Sequence, residues 1–279
     1  MMKTKLRKLV AISALLGASS AFALPQPVTL TNADGAFTDF VGIDWDSLGN
    51  VVIKGFTPVT GTVVTLDFYA SASTLNLAGG GTVPEGGMKK NLGDTGTYEY
   101  TVFGSLTETA TCSSPTSCTF TVNSGSFTAY YDEFASLTGG AAANYKTGAG
   151  FTDGDLLFSG TVGAQPGGGF NTFGPDGFGV ASIIGTIDMT NSAYIMPDLA
   201  SANSLTTLSI GIFNTSGWDI ADITGVAGAA GAGVAIPAGA LVLQGDMSSE
   251  LRSVPEPATL ALLGLALGGL GVLRRRKNA

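Results

Sequence analysis

Residues 97–102 have the sequence Thr-Tyr-Glu-Tyr-Thr-Val, in which polar and apolar side chains alternate strictly. Successive side chains of an extended strand point to opposite faces, so Tyr98, Tyr100 and Val102 share one face and the polar residues share the other. Aromatic and β-branched residues also favour strands over helices. The stretch therefore predicts a β-strand with one face packed against a core.

The same alternation recurs in residues 64–68, 127–131 and 207–212. Turn-forming segments rich in Gly and Asn separate such stretches, at residues 47–50, 79–81, 167–169 and 174–177. Short strands joined by turns, without alternating helices, are typical of antiparallel all-β proteins. The sequence predicts a single all-β domain at residues 24–246, built as an antiparallel β-sandwich or a jelly-roll-like fold. A short linker is expected at residues 247–253.

The charge of this domain limits its partners. The chain has 279 residues, 41 of them Gly, and only 12% are charged. Between Leu24 and Ser253, five Lys and Arg residues stand against 20 Asp and Glu, which leaves a net charge of −15. Such a polyanion repels nucleic acid and anionic membranes. We therefore expect no nucleic-acid partner.

Most kinds of catalytic site are also missing from the sequence. The chain contains no His, which excludes Ser-His-Asp and Cys-His mechanisms and every His-ligated metal. It has neither a Gly-x-Ser-x-Gly nucleophile elbow nor a Gly-Lys-Ser/Thr phosphate loop. A glycosidase needs only two carboxylates flanking a groove, so that class stays open as a less favoured alternative. The sequence predicts a non-catalytic protein.

One acidic segment has the oxygen-rich pattern of a cation loop. Asp44, Asp46 and Asn50 lie in Asp-Trp-Asp-Ser-Leu-Gly-Asn, which supplies alternating oxygen ligands but lacks the later Glu of a complete calcium loop. The simpler interpretation is a hairpin turn, with Trp45 in or beside the core and with positive φ angles at Gly49-Asn50. Calcium is therefore a possible ligand, and no other cofactor is expected.

The two cysteines, Cys112 and Cys118, flank a short segment between two predicted strands. In an exported protein such a pair favours a disulfide, since thiols are oxidised outside the cytoplasm. The pair lacks the Cys-x-x-Cys spacing of a redox site, so we predict a structural bridge at the end of a hairpin.

The N-terminus has the layout of a secretory signal peptide. Four basic residues in the first eight precede an apolar stretch at residues 9–18, and Ala21-Phe-Ala23 supplies small residues for cleavage. An apolar stretch of this length is about half of what a bilayer span requires. We expect cleavage after Ala23 and export through the Sec machinery.

The C-terminus combines three elements in order. Val254-Pro255-Glu256-Pro257 precedes 16 uncharged residues, Ala258 to Leu273, and the basic cluster Arg274-Arg275-Arg276-Lys277 follows. The uncharged segment is long enough to cross a thin bilayer as a helix, and a basic cluster remains on the cytoplasmic side. The arrangement predicts transient contact with the inner membrane through a helix at residues 258–273.

This tail resembles the PEP-CTERM sorting tail of Gram-negative bacteria. The resemblance implies recognition by an exosortase, a membrane transpeptidase, so Pro255, Glu256 and Pro257 would be recognition residues in a substrate. Proteins with such tails belong to exopolysaccharide or biofilm surface systems, which implies a location at the cell surface or in the extracellular matrix and an extracellular polysaccharide as partner.

The predicted all-β domain at residues 24–246, called the body from here on, loosely resembles PEP-CTERM proteins linked to flocculation and exopolysaccharide retention. This resemblance suggests a structural or adhesive role. A carbohydrate- or calcium-binding module is the alternative. Its stacking platforms would be aromatic side chains of the predicted strands and of one later segment: Tyr98, Tyr100, Tyr130, Tyr131 or Trp218. Such platforms would have to be exposed.

Overall fold

The computed structural model describes residues 28–83, 87–89, 96–134, 142–173, 176–200, 203–211 and 219–252. Pro25–Arg252 form one compact unit. The signal peptide predicted at residues 1–23 and the sorting tail predicted at residues 254–279 lie outside the described residues. None of the described segments forms a helix with the length and hydrophobicity that a membrane span requires.

The described part of the chain is all-β, as predicted, and its named strands pair antiparallel throughout. The strands in chain order are β1 (Val28–Asn32), β2 (Gly35–Trp45), β3 (Gly49–Lys54), β4 (Val63–Leu77), β5 (Tyr98–Ser114), β6 (Ser117–Glu133), β7 (Asp155–Val162), β8 (Gln165–Phe173), β9 (Asp176–Thr190), β10 (Ile195–Met196), β11 (Asn203–Gly211), β12 (Gly225–Ala227), β13 (Gly233–Ala235) and β14 (Leu241–Arg252). Two single-turn 3-10 segments, Ile220–Asp222 and Ala229–Gly231, precede β12 and β13 respectively.

One sheet contains 12 of these strands, in the order β10-β1-β2-β14-β11-β9-β7-β6-β5-β4-β3, with β8 paired to β6 and β9. The sheet closes on itself because β3 also pairs with β14, and β2 also pairs with β4. β2 and β3 act as one broken strand, since both pair with β4 on one side and with β14 on the other. β7 and β8 act in the same way between β6 and β9.

The predicted sandwich therefore needs correction. A sandwich has two separately hydrogen-bonded sheets, whereas here one antiparallel sheet closes around eight strand positions. Strand alternation reports which face of a strand is buried but is the same in both architectures, so it could not distinguish them. Long strands make the closure possible: β5 and β6 each have 17 residues and stay paired to each other over almost their whole length.

Large apolar side chains fill the space inside the closed sheet. Trp45, Phe68, Phe127, Phe158 and Met247 come from five different strands and line a common cavity of about 30 Å³. A closed sheet of eight strands has an interior just wide enough for its side chains to fill. The interior is therefore a core with room for only a few water molecules.

A second hydrophobic cluster covers part of the outer face. Tyr69 on β4 and Val242 on β14 point outward and pack with Tyr145, Phe151 and Val226. These partners come from the segment that precedes β7 and from β12. Strands β3, β4 and β14 are consequently buried on both faces. This explains why three consecutive residues of β3, Val51, Val52 and Ile53, are all buried.

Two segment assignments from the sequence are wrong. Most of the predicted linker at residues 247–253 belongs to β14, which pairs with all nine residues of β11 up to Arg252. The glycines at 167–169 do not form a turn but lie inside β8, where Gly168 and Gly169 pair with β6 and Gly169 also pairs with β9. In each case the polar or glycine-rich composition suited a loop, while hydrogen bonding to distant strands determined the structure.

Candidate functional site

The acidic segment at Asp46 forms the break between β2 and β3. The backbone amide of Gly49 donates to the Asp46 carbonyl (3.0 Å), and the amide of Leu48 donates to Asp46 Oδ1 (3.1 Å). These bonds define a local turn of the kind that Asp favours. The turn does not reverse the chain into a hairpin, because β3 continues the line of β2, and neither Gly49 nor Asn50 has a positive φ. Trp45 lies in the core, as predicted.

The other two candidate calcium ligands lie in different surroundings. Asn50 is buried in the outer cluster, and its Nδ2 donates to Tyr69 Oη (3.1 Å) and to the Tyr145 carbonyl (2.9 Å). Asp44 lies between β4 and β14, and its pKa is raised by burial and by the nearby charge of Asp246. Within the ranges that the structure describes, no three His, Cys, Asp or Glu side chains lie together in an arrangement that could hold a metal ion.

The tyrosines proposed as stacking platforms are mostly part of the core. Tyr98, Tyr100 and Tyr131 are at most 2% exposed, and their rings contact one another at centroid distances of 5.1 to 5.9 Å. Rings buried in this way cannot stack on a sugar, so these three positions are corrected to core residues. Tyr130 is half-buried, and Trp218 lies outside the described residues.

Hydrogen bonds from this tyrosine cluster fix the turn between β1 and β2. Tyr98 Oη donates to Asp34 Oδ2 (2.6 Å), and Tyr131 Oη accepts a bond from the Ala33 amide (2.9 Å) while it donates to Glu133 Oε1 (2.7 Å). Burial is the main reason why the pKa of each of these tyrosines lies above its usual value. The cluster therefore closes one end of the sheet with neutral phenols.

A buried ion pair on the outer face of β5 went unnoticed in the sequence. Lys89 Nζ donates to Glu99 Oε2 (3.1 Å) and to the Ala143 carbonyl (3.2 Å), and the Ala143 amide donates to Glu99 Oε1 (2.6 Å). Burial raises the pKa of Glu99 to about 7, although Lys89 opposes the shift. The pair holds two connecting segments against the sheet. The sequence does not predict this contact, because Ala143 is 44 residues away from Glu99 and contributes only backbone atoms.

The same region contains two carboxyl residues on neighbouring strands, the residue type that a glycosidase requires. Glu99 lies opposite Asp132 across the β5–β6 ladder. Both residues are buried, at 0% and 4% exposed. The Glu99 carboxylate already accepts hydrogen bonds from Lys89 and from the Ala143 amide. A glycosidase needs both carboxyls to face an open groove. This pair has the geometry of a structural contact.

The predicted disulfide is present at the tip of the long β5–β6 hairpin. Cys112 and Cys118 are bonded and lie directly opposite each other in the ladder, and Pro115-Thr116 form the two-residue loop beyond Ser114 and Ser117. The turn before β4 supports this tip, because Thr60 Oγ1 accepts from the Cys112 amide (2.9 Å) and donates to its carbonyl (3.1 Å).

The predicted sorting and cleavage residues lie outside the described part of the chain. They are Ala21 and Ala23 at the N-terminus and Val254, Pro255, Glu256, Pro257, Arg274, Arg275, Arg276 and Lys277 at the C-terminus. The nearest described residues are the last two of β14: Leu251, which is buried, and Arg252, which pairs with Asn203. The folded body thus reaches to within three residues of Pro255.

Comparison with known proteins identifies this C-terminal segment. Residues 253–277 match the family described as the PEP-CTERM protein-sorting motif. No curated protein and no solved structure matches the chain. The motif implies exosortase-dependent sorting to the cell surface. The resemblance drawn from the Pro-Glu-Pro element and the basic cluster is thereby confirmed, and the chain carries a PEP-CTERM protein-sorting motif at residues 253–277.

Proposed function

We propose that the body of this protein is a non-catalytic structural or adhesive component of the extracellular matrix, acting in exopolysaccharide, biofilm or floc. The observation that carries the proposal is the sorting motif at residues 253–277, which directs the body to the surface, directly after a tightly closed β domain. A matrix component requires a stable fold and a surface that binds other matrix components, and it does not require a catalytic site.

The construction of the body supports this role. The interior is filled by side chains, and the acids Glu99 and Asp132 are buried rather than presented in a groove. The closed sheet leaves few strand edges open to pair with other chains. A disulfide secures the far hairpin tip. The body would bind extracellular polysaccharide through its polar strand faces, since the buried Tyr98, Tyr100 and Tyr131 are not available for stacking.

The route to the surface completes the proposal. In a Gram-negative host, the signal peptide would pass the chain to the Sec machinery and be cleaved after Ala23. The segment at residues 258–273 would hold the protein in the inner membrane transiently, with Arg274–Lys277 inside, until an exosortase cuts near Pro255–Pro257.

Deletion of the gene, followed by scoring of floc or biofilm and of matrix composition, tests the role. We expect the deletion strain to aggregate poorly, and the full chain to restore aggregation where a chain ending at Arg252 does not. Adding purified body to the deletion strain distinguishes a structural component from an enzyme. A structural component restores aggregation in proportion to the amount bound, whereas an enzyme alters the polymer at trace amounts. Normal aggregation after deletion would contradict the proposal.

A further inference from the structure

A second interior cavity, of about 20 Å³, lies at the end of the closed sheet nearer the disulfide. Glu108 of β5 points into it and is 5% exposed. The other side chains that line it are uncharged: Ile53, Leu66, Phe120, Val180, Ala181, Ile183 and Leu208. A single carboxyl is therefore surrounded by apolar side chains and by the glycine backbone of β8, with room for about one water molecule.

The Glu108 carboxyl has no partner among the described residues, which provide neither a hydrogen bond nor an ion pair to it. No charged or titratable side chain faces it from the elements that form the cavity, namely β3, β4, β6, β8, β9 and β11. The nearest cation on β3, Lys54, is engaged with Asp67 on the outer face. Leaving a buried carboxylate without a partner is costly, so the arrangement favours the protonated acid.

The wall opposite the carboxyl is made of glycine. A Cβ added to Gly167 would lie 2.9 Å from Glu108 Oε1, and one added to Gly168 would lie 2.3 Å from the Val180 carbonyl. Gly168 also has a φ of +147°, which L side chains rarely adopt. The pairing of β8 with β6 is irregular at Phe120/Thr121, beside this stretch. Gly167–Gly169 thus bring backbone that has no side chains, next to an irregular stretch of the β6–β8 ladder, against the carboxyl.

We propose that Glu108 makes the closed sheet pH-sensitive: while protonated it seals the cavity, and when it releases its proton to water, Gly167–Gly169 separate from β6 and admit solvent to the carboxylate. The balance is a simple ionisation, in which the carboxyl O–H bond breaks and the proton passes to bulk water. The glycine stretch is the element that moves because it has no side chains packed in the core to hold it.

The position of the transition follows from the environment. Burial raises the pKa of Glu108 from 4.5 to about 7, with no opposing charge nearby. The sealed form is thus the acidic form, and the open form is the mildly alkaline one.

Hydrogen–deuterium exchange of the body provides the test. Exchange of a peptide covering Gln165–Phe173 is compared between the wild type and Glu108→Gln at about pH 4 and at pH 8.5. The peptide has the same sequence in both proteins, so the intrinsic effect of pH on exchange cancels. At pH 8.5 we expect the wild-type peptide to exchange at least tenfold faster than the variant peptide, within a ceiling of roughly 300-fold set by the pKa difference. At about pH 4, below both pKa values, the two should agree.

Matched variants keep the test decisive. Glu250→Gln makes the same change at an exposed position of β14 and should exchange like the wild type at both pH values. If the Gln amide destabilises the apolar cavity, Glu108→Met removes the titrating group with an unbranched side chain that suits irregular spaces. Equal protection of this peptide in the wild type and in both Glu108 variants at pH 8.5 would overturn the proposal, as would faster exchange spread evenly over all strands.

Discussion

The indole nitrogen of Trp45 donates a hydrogen bond of 2.9 Å to Ser249 Oγ inside the closed sheet, joining residues that are 204 positions apart. Ser249 Oγ also lies 3.0 Å from Thr206 Oγ1. Trp45 is the last residue of β2, and Ser249 is near the end of β14. This polar contact therefore lies at the seam where the first and last parts of the sheet meet.

Replacing Ser249 with Ala should destabilise the body by about 1–3 kcal/mol, because the buried indole N–H loses its acceptor. Urea denaturation of the body measures this. The neighbouring Ser248→Ala is the control, since that side chain is partly exposed and its loss should change the free energy of unfolding by less than about 0.5 kcal/mol. Equal effects of the two substitutions would show that the seam contact contributes little.

The stability of the body should fall as the pH rises from about 4.5 to about 7. The carboxyl of Glu108 ionises near 4.5 in the unfolded chain but near 7 in the folded one. Between these values only the unfolded state releases the proton, so a rising pH favours unfolding, by up to about 3 kcal/mol for this group, and the effect levels off above pH 7. Glu108→Met should show a flatter curve in denaturant titrations across this range. Glu99 is present in both the wild type and Glu108→Met and contributes equally to the two stability curves. Parallel curves would therefore contradict the assignment of the pH dependence to Glu108.

Cys112 and Cys118 should resist alkylation in protein recovered from outside the cytoplasm unless a reductant is added. Replacing both with Ser should lower the free energy of unfolding by about 2 kcal/mol, as the chain-entropy model gives for so short a loop. Calorimetry of the body and mass spectrometry of alkylated protein provide the two measurements. Quantitative labelling of both thiols without reductant would contradict the bridge.

Calcium should leave the melting temperature of the body unchanged. Oδ1 and the carbonyl of Asp46 already accept bonds within the turn, and the amide nitrogen of Asn50 donates within the outer cluster, so a cation would have to displace internal bonds. Asp46→Ala should lower the melting temperature equally with millimolar calcium and with EDTA. A calcium-dependent rise in the wild type that this variant loses would restore the metal-site hypothesis.

The mature protein should begin near Leu24 and end close to Pro255–Pro257, without the basic cluster. A helix of 16 residues spans roughly 24 Å, less than a hydrocarbon core of about 30 Å, so residues 258–273 suit a transient stay in the membrane. Changing Pro255, Glu256 and Pro257 together to Ala should trap the full chain in the inner membrane. Mass spectrometry of surface protein decides, because mature chains that still end in Arg-Arg-Arg-Lys-Asn-Ala would identify the tail as an anchor.

The sequence predicted individual strands well and their assembly poorly. The alternation that begins at Tyr98 holds along β5, and the same parity continues through Val102 and Leu106 to Glu108. Following that parity to its end would have placed Glu108 inside the sheet, although its neighbours Thr107 and Thr109 suggest a solvated surface. The alternation along β5 is therefore enough to predict that Glu108 is buried.

Closure of the sheet had no comparable signal. It depends on β3 pairing with β14, as at Val51 and Leu243, which are almost two hundred residues apart. Alternation determines which face of a strand is buried but not which strand lies beside it. The polar composition of Met247–Arg252 likewise suited a linker, and only its pairing with β11 shows that it is a strand.

The extension of β14 to Arg252 determines how the finished protein can be displayed. A cut near Pro255–Pro257 leaves about three to five residues after the last paired one, a reach of roughly 10–17 Å. If the exosortase joins that new end to an acceptor, the tether is too short for the body to turn freely. Arg252 and Cys112 lie at opposite ends of the sheet by strand register, so the disulfide-bonded hairpin tip lies at the end of the sheet away from the last paired residue.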